Sequence, residues 1–334
     1  MISAVMSGVA VADTAKLEVL VLDDVTGQPI EGALVRGGFE VEVPSWERVK
    51  GNPRPNEDIK LTDKQGGCKL QGKTNCGEAG VAVRSAAGYY RPMHGVGRSF
   101  KAKNFFGVWQ PDNLVVTIKL QRVEHPIPLW VKKELLNVKQ EIANINQGRF
   151  SYDMMMGEWL PPFGKGKVAD IEFTRLPHED LGEGVSDGIK SNSYRDAVAV
   201  KFVGVDNGIF ECWPPAESCL KIRSAPEDGY TPDYLCWEGR DRNLKYSTNY
   251  DKKRCLAFRI RTQKDEKGQI KKSYYGKIYN DIVAYTGSNH AIFGVMFSYY
   301  LNPTSLDRNL EWDRKTNLCP NPGDVGHSVG DRLP

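Results

Sequence analysis

The sequence predicts an all-β protein made of two antiparallel β-sandwich domains in tandem. Three observations carry that reading. Short apolar stretches alternate with polar residues at period two in both halves of the chain, the pattern of half-buried strands. The 33 Gly and 19 Pro supply many turns. The length of 334 residues suits about two domains, each able to bury its own core.

Residues 1–12, MISAVMSGVAVA, are uncharged and small or apolar, and end in Ala10-Val11-Ala12, the small-x-small pattern that signal peptidase reads. They are expected to be a signal-peptide remnant, placing the protein outside the cell or in the periplasm or cell envelope. Residues 15–122 are expected to form the first sandwich, of about seven strands. Leu17, Val19 and Val21 alternate, as do Phe39, Val41 and Val43 with Glu40 and Glu42 between them. Asp23, Asp24, Gly27 and Pro29 supply turn chemistry between these runs, and further strands fall at 81–85 and 114–120. Pro126 and Pro128 force extended backbone at a domain junction. Leu135, Val138, Ile142 and Ile145, spaced by 3, 4 and 3, then suit two or three turns of helix within a linker over 123–149. A larger β-sandwich or jelly-roll-like domain is expected over 150–318, with alternation at 171–174, 256–261 and 275–280 and more continuous apolar runs at 197–205 and 291–301. A polar tail, 319–334, closes the chain.

The string VLDDVTGQPIEGALV, followed by TNCGEAGVAVRSAAGYY, resembles the carboxypeptidase regulatory-like, transthyretin-like β-sandwich domains of exported bacterial proteins. Thr74-Asn75 with Gly77 stands where that family has its Thr-Asp-x-x-Gly turn, and Gly88-Tyr89-Tyr90 matches its Gly-Tyr close. The resemblance covers about a third of the chain and implies a non-catalytic spacer or adhesion module. The insertion around PSWERVKGNPRPNEDIK and the stretch from Cys68 to Cys76 depart from the pattern. The second half, with YDMMMGEWLPPFGKGKVADIEF, YYGKIY and FSYYLNPTSLDRNLEWD, is similar to uncharacterised exported proteins of the Planctomycetes and Verrucomicrobia type, a resemblance that implies architecture and no activity.

With 45 basic and 42 acidic residues the net charge is +3, and both signs are interspersed, so neither nucleic acid nor an anionic membrane is implied as a partner. No apolar run is long enough for a transmembrane helix. The densest candidate for ligand binding is 152–167, where Tyr152 and Trp159 would stack on a sugar ring while Asp153 and Glu158 bond its hydroxyls. The competing reading is a folded-back loop whose aromatics plug the sandwich. Gly164-Lys165-Gly166-Lys167 lacks phosphate-loop spacing. DRNL occurs at 241–244 and at 307–310, which reads as a repeated turn. A calcium reading through Asp307, Asn309 and Glu311 lacks the glycine and loop length such sites use. Zinc-ligand spacing and the usual hydrolase motifs are missing from the sequence, so no metal, cofactor or catalytic residue is assigned.

Seven cysteines fit an oxidising compartment. Neighbours in sequence pair by default: Cys68 with Cys76 and Cys236 with Cys255, leaving Cys212, Cys219 and Cys319 to share one bond and one thiol.

Three functions remain open: a non-catalytic binding or structural protein with a glycan or envelope-protein partner; a hydrolase acting on glycans or peptides through the second domain; and a subunit of an extracellular assembly. A carboxylate-lined cleft marks the hydrolase, an exposed aromatic groove the glycan binder, and a bare edge or apolar patch the subunit.

Overall fold

The computed structural model describes residues 13–42, 56–92, 95–139, 148–214, 220–286 and 292–320. Every regular element among them is a strand. One compact unit is built on Met1–Glu124 and a second on His125–Ala216 with Leu220–Leu333.

The first unit contains β1 (Thr14–Asp23), β2 (Leu34–Phe39), β3 (Asn56–Leu61), β4 (Gly67–Lys73), β5 (Glu78–Ser85), β6 (Val96–Ser99), β7 (Ala102–Lys103), β8 (Trp109–Gln110) and β9 (Leu114–Leu120). A three-stranded sheet in the order β4-β1-β9 accompanies a four-stranded sheet, β3-β2-β5-β6, while β7 and β8 form a hairpin. Strict alternation along β1 buries Ala15, Leu17, Val19 and Val21. These meet Val116, Ile118 and Leu120 of β9, Val35 and Phe39 of β2, and Val81 and Val83 of β5 in one core. Each such side chain contributes about 1.5–3 kcal/mol when it leaves water. After β1 the chain turns because the Asp23 carboxylate accepts the backbone N–H groups of Val25 and Thr26, at 3.1 and 2.9 Å, and Gly27 takes a left-handed φ of 69°. Asp23 also accepts from the Tyr89 hydroxyl and from Arg122 Nε, both at 3.1 Å, which ties the first turn to residues near the end of the unit.

β3 reverses the usual pattern. Its residues Asn56, Asp58 and Lys60 stand opposite the core residues Phe39, Gly37 and Val35, so Ile59 and Leu61 face outward, 53% and 61% exposed. Asn56 Nδ2 donates to the carbonyl of Lys73 and the Gln71 N–H donates to Asp58 Oδ2, both at 2.9 Å, so these side chains satisfy the outer edge of β4 in place of another strand. Polar residues turned inward at a sheet edge also discourage edge-to-edge aggregation.

The second unit contains β10 (Ile127–Lys139), β11 (Arg149–Asp153), β12 (Glu158–Trp159), β13 (Ile171–Arg175), β14 (Glu179–Ser186), β15 (Ile189–Phe202), β16 (Gly208–Cys212), β17 (Asp233–Arg240), β18 (Tyr246–Thr248), β19 (Cys255–Lys264), β20 (Ile270–Ile278), β21 (Val283–Thr286), β22 (Ile292–Leu301) and β23 (Trp312–Asn317). They form two sheets, β16-β19-β20-β22-β10-β23 with β21 beside β22, and β12-β11-β13-β15-β17-β18 with β14 beside β15. Phe150, Tyr152, Trp159, Phe173 and Phe202 of one sheet pack with Phe258, Ile260, Val295, Phe297 and Tyr299 of the other. β19 is buried on both faces over Cys255 to Ile260, which explains its continuous apolar run. On the adjacent strand β20, Lys277 is 1% exposed and its ammonium donates to the carbonyls of Leu220, Ile222 and Leu310 at 2.6, 2.8 and 2.7 Å.

The expected all-β, mainly antiparallel architecture is present, with two parallel pairs inside it, β1 beside β9 and β10 beside β23. Several sequence expectations are corrected here. The strand expected around Phe39 and Val41 instead spans Leu34–Phe39, and Val43 lies outside the described residues. Within the expected linker, Ile127–Lys139 forms an inner strand, β10. Leu135 and Val138, read as one helix face, lie in β10, whose register against β22 runs from Trp130↔Leu301 to Lys139↔Ile292. Tertiary pairing has overridden local spacing; Ile142 and Ile145 lie outside the described residues.

Both expected disulfides are also absent. Cys68 and Cys76 are thiols, the first on β4 and the second three residues beyond its end. Cys68 stands opposite Val19 and faces the core, whereas the Cys76 thiol lies outside it and donates to the Glu40 carbonyl at 3.5 Å. Cys236 faces the core between the sheets, whereas Cys255 alternates with the core residues Leu256 and Phe258 and so points to the opposite face of its sheet. The expected signal remnant and Cys219 lie outside the described residues, as does all of the tail beyond Pro320.

Candidate functional site

The four residues singled out as ligand contacts come together in the β11–β12 hairpin, where Tyr152 stands opposite Trp159 and Asp153 opposite Glu158. Glu158 is half-buried, and the other three are buried: Tyr152 0%, Asp153 1% and Trp159 5% exposed. The rings of Tyr152 and Trp159 meet edge to face at 4.9 Å, and Tyr152 meets Phe297 at 5.4 Å. Neither ring offers a face to a sugar. The Tyr152 hydroxyl donates to Glu134 at 2.8 Å.

Asp153 is a structural acceptor. It takes the backbone N–H groups of Met156, Lys167 and Val168 at 3.0, 3.1 and 3.1 Å, and Arg261 Nη2 at 2.6 Å. Arg261 also forks onto Asp170, with Nε and Nη2 each at 2.8 Å. To reach both, Arg261 sits in a bulge of β19 with φ +53°. Burial raises the Asp170 carboxyl above the usual carboxylate range even though Arg261 pulls it down. Gly164 and Gly166 lie against the β12 backbone, where an added Cβ would come 2.3 and 2.7 Å from the carbonyl oxygens of Trp159 and Glu158. Close packing against β12 accounts for these two glycines. The DRNL strings both form Asx turns: Asp241 accepts the Asn243 and Lys245 N–H groups at 2.9 Å, and Asp307 that of Asn309 at 2.9 Å. Glu311 is bound to Arg223 at 2.8 Å.

The most exposed aromatic side chains among the described residues lie elsewhere. At the tip of the β7–β8 hairpin Phe105 is 95% and Phe106 74% exposed, their rings edge to face at 5.5 Å. The tip beneath them is well organised. The Asn104 side chain accepts the N–H groups of Phe106 and Val108, both at 3.0 Å, the Asn104 N–H donates to the Val108 carbonyl at 2.9 Å, and Gly107 adopts φ +73°. At the base, Lys103 binds Asp13 at 2.7 Å and lies over the Trp109 ring, whose Nε1 donates to the Thr74 carbonyl at 2.9 Å. This segment is not among the residues expected to contact a ligand. Its signal is Lys-Asn-Phe-Phe-Gly, where two aromatics occupy turn positions that small or polar residues normally fill.

The fold is thus all-β in two units, with a buried ionic cluster in the second and an apolar finger on the first. No family model matches the chain, and no curated protein matches it. Solved structures similar to it include GBS52, the minor pilin of Streptococcus agalactiae, at 16% identity and TM-score 0.25 over 35% of this chain and 48% of that one. Others are the major pilin subunit BcpA of Bacillus cereus, at 10% identity and TM-score 0.24 over 85% and 95%, and the major pilin SpaD of Corynebacterium diphtheriae, at 13% and 0.22 over 86% and 82%. The chain spans about half the length of GBS52. At these scores the likeness carries no functional argument.

Proposed function

We propose that the chain is an exported, non-catalytic structural or binding subunit of an assembly outside the cell or in its envelope, docking a neighbouring protein through Phe105 and Phe106. The observation that carries this is the pair of exposed phenylalanines on a turn held by four hydrogen bonds. Burying both rings in a partner's apolar pocket would contribute about 3–6 kcal/mol, and the rigid turn means little order is lost on binding. A protein partner is favoured over a lipid surface because Lys103, the basic residue nearest the tip, is already engaged by Asp13 and Trp109. The hydrolase reading is less well supported: Asp153 and Asp170, which lie close together at the predicted site, share Arg261 and are buried. The resemblance of the first unit to regulatory-like, transthyretin-like domains supports a non-catalytic role and stays part of this proposal.

The test is photo-crosslinking in the native host from a benzoyl-phenylalanine at position 106, with Phe105→Ala/Phe106→Ala as the binding comparison. One defined protein should be crosslinked, and its affinity for the double variant should fall a hundredfold or more while thermal stability is unchanged. Equal binding by the double variant overturns the proposal, as does flotation with phosphatidylglycerol vesicles that depends on the two rings.

A further inference from the structure

We propose that Cys212 and Cys255 are a disulfide-forming pair that pins the edge strand β16 to β19. Cys212 is the last residue of β16 and Cys255 the first of β19, and the antiparallel register sets them directly opposite each other. Directly opposite residues share a face, with Cα atoms about 4.5–5.5 Å apart, inside the 4.4–6.8 Å range that disulfides span. No other described strand pair sets two cysteines against each other in its register. The bond has a structural role to fill. β16 ends its sheet, its free side is met by a bridge between Ile209 and Thr231, and the chain leaves the strand straight after Cys212 at the exposed Trp213.

Access is one-sided. Cys212 is half-buried and Cys255 is 0% exposed, so an incoming disulfide meets Cys212 first. The Cys212 thiolate attacks one sulfur of a small-molecule or protein disulfide and expels the other as a thiolate. Cys255 then displaces the remaining half from Cys212. Two protein thiols are oxidised, the incoming disulfide is reduced to two thiols, and the protons of Cys212 and Cys255 pass to the two leaving sulfurs. Burial pushes the Cys255 thiol up to about 12 against the nearby Lys277 and Lys221 ammonium groups, and burial raises Cys212 too. High thiol pKa values disfavour the reduced pair as a leaving group, so the bond once made behaves as a structural one.

The full-length chain is incubated with glutathione disulfide at pH 8, alkylated under denaturing conditions without reduction, and mapped as peptides. A linked pair containing Cys212 and Cys255 is expected, and amides of Gly208–Cys212 should exchange at least tenfold more slowly than in reduced protein. Cys212→Ser, at the half-buried edge, should fold and return Cys255 alkylated only, with no slowing of exchange on oxidation. Recovery of both cysteines alkylated in the oxidised wild type overturns the proposal. So does a bond from Cys212 to Cys219 or from Cys255 to Cys236.

Discussion

Phe39 lies in the space a side chain at Gly72 would need: a Cβ added there would come 2.1 Å from Phe39 Cδ2 and 2.5 Å from its Cγ. Gly72 on β4 and Phe39 on β2 belong to different sheets of the first unit, so the missing side chain is what lets the ring close that core. In the second unit Gly276 makes room within a single sheet: it stands opposite Phe258 on the adjacent strand, and an added Cβ would come 2.1 Å from that ring.

Gly72→Ala is therefore expected to destabilise the first unit by about 1–3 kcal/mol or more through overpacking. Adding Phe39→Leu should recover part of that loss. Urea unfolding of the two single variants and the double variant measures the coupling, and simple additivity would count against the contact.

Asp23 carries a pH prediction. Burial alone would raise its carboxyl, but hydrogen bonds from the Thr26 and Val25 backbone and from the Tyr89 hydroxyl prevail and hold it well below the usual carboxylate range. A lowered folded-state pKa contributes stability that is fully present above the unfolded value near 4 and lost as pH falls below it. Asp23→Asn should cost about 1–3 kcal/mol at pH 7. Thermal melts should show that deficit shrinking between pH 5 and pH 2, and a constant gap would refute the assignment.

Arg261→Met leaves Asp153 and Asp170 buried without their shared cation, and an expected loss is about 3–5 kcal/mol at pH 7. Because protonation relieves an unpaired buried carboxylate, the deficit should be smaller at pH 4. Denaturant midpoints at the two pH values check both the size and the sign.

Lys277→Met removes a donor from three buried carbonyls. The cost of orphaned acceptors is about 1–3 kcal/mol each before any relaxation, and the methionine stem keeps the packing. Calorimetry should find the second unit less stable by at least about 2 kcal/mol while the melting of the first is unchanged. Parallel losses in both units would contradict the local account.

The alternating runs were legible because one face of each strand meets a core: Leu17, Val19 and Val21 of β1, and Ile171 and Phe173 of β13, are buried where period two places them. The candidate ligand residues were legible as a group but not in role. Tyr152 and Trp159 have the composition of a binding platform, and only the facing sheet, with Phe297 and Tyr299, fills the space in front of them. Phe105 and Phe106 were overlooked because exposure depends on what the rest of the chain leaves uncovered.

By itself the sequence determined an all-β chain, the strand-forming runs, and the turns at Asp23 to Gly27 and at Thr74 to Gly77, since these depend on side-chain alternation and on hydrogen bonds within a few residues. The tertiary structure alone decided the rest. Leu135 and Val138 became strand because β22 lay beside them, β9 ran parallel to β1, and Cys255 came to face Cys212 rather than Cys236. Strand neighbours and cysteine partners are set by register between segments far apart in the chain, and one residue of slip turns every side chain to the other face, so local pattern does not encode them.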